Sequence, residues 1–100
     1  MLLAHQTQPR SPNAMIRDAA VKVAEAIDAL SENGFTVVKV ELDMPARPTI
    51  RIQTCAHCHR LISNGDAVYY SYGQQDHFGP YREGQFQLGG CRVVWLEMGH

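Results

Sequence analysis

The sequence predicts an α+β protein in which one N-terminal helix packs on a four- to five-stranded antiparallel sheet. Three observations predict it. Between Ile16 and Leu30 the apolar residues recur at steps of three and four, the period of one helix face. From Phe35 the period changes to two, as in a strand with one buried side. The later apolar runs are joined by turns and short loops, apart from Thr54 to Asp66. That stretch is the one long enough for a parallel crossover and it shows no helical period, so the sheet reads as mainly antiparallel.

Each element follows from its residues. Residues 1–10 are largely polar and read as a flexible arm; residues 11–100 read as a single α+β domain. Ser11 is placed to cap a helix that starts at Pro12, where a missing N–H costs nothing. Ile16, Ala20, Val23, Ile27 and Leu30 form its apolar stripe, and Asp18 is set to pair with Lys22. Asn33-Gly34 ends it, glycine taking the left-handed conformation freely. In the strand Phe35 to Asp43, Val38, Val40 and Leu42 share one side. The prolines of Met44 to Pro48 turn the chain, and Thr49 to Gln53 alternates again to complete a hairpin. A loop from Thr54 to Asp66, a strand from Ala67 to Tyr72 and a loop from Gly73 to Pro80 follow. Tyr81 to Leu88 and Cys91 to Met98 are the last strands, joined at Gly89-Gly90.

The helix stripe is expected to cover Val38, Val40, Leu42, Ile50, Ile52, Val94 and Leu96. A surplus remains. The final strand is apolar on both sides, with Val94, Leu96 and Met98 opposite Cys91, Val93 and Trp95. Seven of the eight aromatic residues lie between Tyr69 and Trp95, so the surplus belongs to the second half of the chain. A second apolar face suggests a partner surface or a homodimer interface; the competing expectation is that the Gly73 to Pro80 loop folds over it.

Composition sets limits. Nine basic against ten acidic side chains leave a net charge of −1, which argues against direct, nonspecific nucleic-acid binding. Residues 34–60 do carry four basic and two acidic groups, and Lys39 and Arg51 are expected close together on the exposed side of the hairpin. An ordinary solvated hairpin is the preferred reading of that patch. No run approaches the roughly 20 apolar residues of a membrane span, and the N-terminal residues lack the pattern of a signal peptide. The expected compartment is therefore a reducing cytoplasm, where three cysteines are not a disulfide framework.

Cys55-Ala56-His57-Cys58 is the most specific local motif. Two cysteines separated by two residues can present both thiolates to one tetrahedral zinc ion. A second such pair is missing; the metal candidates are Cys55, Cys58 and His77, with His57, His59 and Cys91 as further options. A metal-free loop is preferred, so no cofactor is required and zinc is the alternative. A redox role ranks lower still, because thioredoxin-like sites place the first cysteine at a helix start after a strand in a parallel βαβ setting, and this sequence lacks that context. There is no glycine-rich phosphate loop, nucleophile elbow or helical zinc motif, so the chain reads as a non-enzyme.

A helix leading into Gly34-Phe35-Thr36-Val37-Val38-Lys39-Val40, then Ala46-Arg47-Pro48-Thr49-Ile50-Arg51-Ile52, an aromatic strand and a closing Gly90-Cys91-Arg92-Val93-Val94-Trp95 resembles small accessory proteins encoded by phages and prophages of proteobacteria, over residues 15–98. The cysteine pair departs from that pattern. Characterised proteins of this kind often bind and block a host machine, anti-CRISPR proteins among them. The resemblance implies a stoichiometric inhibitor in the host bacterial cytoplasm. Its partner would be a host protein or ribonucleoprotein, such as a CRISPR surveillance complex, whose nucleic-acid binding it blocks. The contact residues expected on this reading are Asp76, His77, Tyr81 and Arg82, with Trp95 as an aromatic anchor. A zinc-binding regulatory or interaction module is the alternative function.

Overall fold

A computed structural model describes residues 10–77 and 79–99. The expected arm therefore lies outside the described residues, except for Arg10. The elements are α1 (Pro12–Glu32), β1 (Val37–Glu41), β2 (Thr49–Ile52), α2 (Ala56–Asn64), β3 (Val68–Gln75), β4 (Gly79–Leu88) and β5 (Cys91–Met98). One five-stranded sheet has the order β1-β2-β5-β4-β3. The α+β class and the mainly antiparallel sheet are as expected.

The long helix begins as its sequence dictates, with the Ser11 hydroxyl accepting from the Ala14 amide at 3.1 Å. It ends at Asn33, and Gly34 follows with φ +83°. The stripe it buries is Ala19, Val23, Ala26 and Leu30, with Ile27 half-buried, while Ile16 is 41% exposed and Ala20 is exposed. The axis is thus rotated from the expected stripe, so that the small Ala19 and Ala26 side chains are among those turned inward. Asp18 pairs with Arg10 at 2.7 Å, not with Lys22.

Three further departures have local causes. A bulge between Val37 and Lys39 interrupts the β1–β2 pairing and leaves Val38 61% exposed. The connection from Thr54 to Asp66 is a helix over most of its length, with Gly65 at φ +81° ending it. The expected Gly73 to Pro80 loop is the tip of a hairpin, since β3 and β4 pair as far as Gln75 with Gly79. Among the described residues no loop folds back from there over the sheet, and the one parallel pair is that of β2 with β5.

Register decides which side of the sheet is which. Ile50 stands beside Val93, and Val93 beside Phe86. Cys91, Val93 and Trp95 therefore share the inner face with Ile50 and Ile52, the reverse of the expected grouping with Val94 and Leu96. Both helices contribute to the core on this face, α1 through Val23, Ala26 and Leu30 and α2 through Cys58. Among the described residues no helix packs on the opposite face, where Leu96 and Met98 are 43% and 45% exposed.

Candidate functional site

Among the described residues the covered face carries one buried charge. Glu97 continues the inward alternation of Cys91, Val93 and Trp95 and is 7% exposed. An isolated carboxylate there would cost several kcal/mol, about what a buried ion pays without partners. Its oxygens accept from Trp95 Nε1 at 2.8 Å, Arg82 Nε at 2.9 Å and Tyr69 Oη at 3.0 Å. His59 Nε2 stands 3.6 Å away. Burial opposes ionisation, but the hydrogen bonds from Trp95, Arg82 and Tyr69 outweigh it and hold the Glu97 pKa below the ordinary carboxylate value. The Arg82 guanidinium also lies over the Tyr69 ring, 4.0 Å from its centroid.

This cluster forms one wall of an open cleft of about 530 Å³. Cys55 and His59, with Thr54 and Ala56, line the same cleft. Strand β2 ends at Ile52, and Cys55 is the N-cap of α2, with an extended backbone and no capping bond from its side chain. Cys58 lies one turn on and its amide donates to the Cys55 carbonyl at 3.0 Å. The two Sγ atoms are 3.9 Å apart. Cys55 is half-buried and Cys58 fully buried. Burial, with the neighbouring Cys55 adding to it, pushes the Cys58 thiol up to about 12. The expectation that this pair lacks the thioredoxin-like setting is corrected in part: the strand, the cysteine and the helix start follow one another in that order, but β3, the strand after α2, is not a neighbour of β2 in the sheet.

The remaining expected site residues scatter. His77 and Asp76 are exposed in the β3–β4 turn and are not among the residues lining the cleft. Among the described residues no three His, Cys, Asp or Glu side chains gather as a metal site. Trp95 is 1% exposed and packs over Gly84, so it is a core residue and not a surface anchor. Arg82 is engaged with Glu97, while Tyr81 lies on the open face near Leu96 and Met98. Glu97 and Tyr69 were not among the expected site residues. Their signal was a single carboxylate in phase with an apolar strand face, two residues after Trp95.

The open face is mixed. Arg51, opposite Lys39, bonds Glu41 at 2.5 Å and Glu83 at 3.3 Å. Arg92 bonds Gln85 at 2.7 Å and covers the Tyr70 ring at 4.6 Å. Two of the four basic side chains of residues 34–60 thus face each other on the hairpin, and Arg51 is matched by carboxylates.

These features define a small α+β protein with one sheet face that carries no helix among the described residues and a cysteine pair at a helix start. A family model described as an uncharacterised protein matches residues 3–98, and the chain belongs to that family. No curated protein and no solved structure matches it. Among the described residues no helix is long and apolar enough to cross a membrane.

Proposed function

We propose that the chain is a non-enzymatic binding protein that engages a protein or ribonucleoprotein partner through the open face of its sheet. The bare face itself carries this reading. Leu96 and Met98 are exposed there beside Tyr81, Gln75 and Glu83, around a groove of about 220 Å³. An apolar centre within a rim of polar and charged groups is the usual build of a protein interface. The particular form suggested by the resemblance to phage accessory proteins is an inhibitor that blocks nucleic-acid binding by a host nucleoprotein such as a CRISPR surveillance complex.

The test uses purified full-length protein and a purified surveillance complex, with phage plating on a CRISPR-immune host beside it. A stable complex, restored plating, and loss of both in a Leu96→Glu, Met98→Glu variant would support the reading. Unchanged plating with no complex would remove the CRISPR form. A variant that binds as well as the parent would remove the open face as the contact surface.

One observation favours the zinc alternative. The 3.9 Å separation of the Cys55 and Cys58 sulfurs is close to the edge of a thiolate tetrahedron with zinc–sulfur bonds of about 2.3 Å. Two further ligands would have to come from elsewhere. Metal analysis of the purified protein decides it: zinc near one equivalent and lost stability in chelator support the module, and zinc near zero removes it.

A further inference from the structure

We propose that Cys55 and Cys58 form a reversible dithiol–disulfide centre that exchanges with the disulfides of peptides or proteins. This does not rest on the docking reading, which uses the other face of the sheet, although Met98 borders both the cleft and the groove on that face. Three features carry it. The two sulfurs are 3.9 Å apart across the first turn of a nine-residue helix, so a side-chain rotation brings them towards bonding distance. Their exposure is unequal: Cys55 lines an open cleft, whereas Cys58 is fully buried behind it. The cleft holds about 530 Å³, within the size range of small-ligand sites.

The asymmetry assigns the roles. Cys55 is the half-buried N-cap of α2 and opens on the cleft, so an incoming disulfide reaches it first. His59 and Arg82 line the same cleft. The Cys55 thiolate attacks one sulfur of a disulfide R–S–S–R′, the S–S bond breaks, and R′–S⁻ leaves and takes up a proton. The product is a mixed disulfide between Cys55 and R. Cys58 then loses its proton and attacks the Cys55 sulfur from the protein side, expelling R–S⁻, which is protonated. Two cysteine thiols are oxidised to one disulfide, one substrate disulfide is reduced to two thiols, and two electrons and two protons pass between them. Cys58 is fully buried and lines no part of the cleft, so it meets only the mixed disulfide on Cys55, which keeps the two steps in order.

The third thiol is an internal control. Cys91 is fully buried in β5 and, like Cys58, is pushed up by burial, but it lines no part of the cleft. The experiment exposes reduced full-length protein to oxidised glutathione in one arm and insulin in the other, with quenching by a thiol-blocking reagent and peptide mass mapping. The expected result is a Cys55–Cys58 disulfide in the parent. Cys58→Ser is expected to hold a glutathione adduct at Cys55, formed at least about 100-fold faster than any adduct at Cys91. Cys55→Ser should form neither product. Cys58→Ala, checked by circular dichroism, replaces Cys58→Ser if a buried hydroxyl disturbs folding. Cys55-dependent exchange in either arm supports the centre, and the arms tell small disulfides from protein ones. Exchange in neither arm overturns it, as does equal labelling of Cys55 and Cys91. Tightly held zinc that blocks exchange until a chelator removes it overturns it too.

Discussion

The two faces of this sheet solve the problem of charge in opposite ways. On the covered face a single carboxylate, Glu97, lies among Trp95, Tyr69 and Arg82 and is all but removed from water. On the open face Glu41, Arg51 and Glu83 form a string of ion pairs whose side chains keep 19–35% of their exposure. The same residue types therefore differ in consequence. A buried charge must have every partner in place, because losing one leaves a desolvated group uncompensated. A half-exposed pair trades water for a neighbour at little net gain. Sequence-level charge counts miss this difference, since both faces enter the net charge of −1 on equal terms.

The largest expected effect breaks the covered face. Glu97→Gln keeps the shape but replaces a charged acceptor of three hydrogen bonds with one amide oxygen. A loss of about 3 kcal/mol in urea unfolding is expected; a loss below about 1 kcal/mol would show that the cluster is not desolvated as described. The same group sets a pH dependence. Its folded pKa lies below the ordinary value, so its contribution is full above the unfolded pKa, near about 4.3, and is lost as pH falls through the folded one. The gap between parent and Glu97→Gln should accordingly be widest at neutral pH and narrow on acidification. A gap that stays constant to the acid limit would contradict the depressed pKa.

A smaller effect tests how the buried tryptophan is seated. Gly84 pairs with Trp95, and a Cβ added there would stand 2.2 Å from the indole. The ring is enclosed and its Nε1 is held by Glu97, so it has little freedom to give way. Gly84→Ala should cost about 2 kcal/mol by overpacking, read as a lower urea midpoint with an unchanged slope. Gly73 repeats the arrangement, with its added Cβ 2.4 Å from the Tyr81 ring. Tyr81 is only half-buried, so Gly73→Ala should cost less than Gly84→Ala; the reverse order would mean that the hairpin, not the tryptophan seat, is the tighter contact.

How much of this was legible depends on where the residues report their own environment. The helix α1, its Ser11 cap and the last strand follow from local pattern, and Cys91 to Met98 has the expected bounds. The pairing of faces was not legible. Both sides of β5 are apolar, so alternation alone cannot say which side meets Ile50 and Ile52; the parallel register with β2 decides it. Helix α2 was hidden because its inward residues are Cys58, Leu61 and Ile62 among histidines and an arginine, a short apolar repeat that propensity does not distinguish from a loop. Missing that helix removed the setting of the cysteine pair. The tertiary partners of Glu97, Tyr69 and Arg82, come from two other strands, β3 and β4, and long-range register of that kind is absent from the local sequence.

The smallest expected effect sharpens the comparison from the open side. Arg51 touches both Glu41 and Glu83, and its hydrogen bonds to the Glu41 carboxylate, then to that of Glu83, hold it protonated against partial burial. Geometry alone would rank it with Glu97, since each is held by two or more charged or polar partners. Solvent makes the difference: Arg51 keeps 35% of its side-chain exposure against 8% for Glu97. Arg51→Met retains the apolar stem over the sheet and removes the charge. It should change stability by no more than about 1 kcal/mol, and the change should shrink as salt rises from low to physiological strength, because exposed pairs are screened. A salt-independent loss comparable to that of Glu97→Gln would mean that the open face is covered in solution by a second copy of the chain, since only desolvation makes such a pair costly to break.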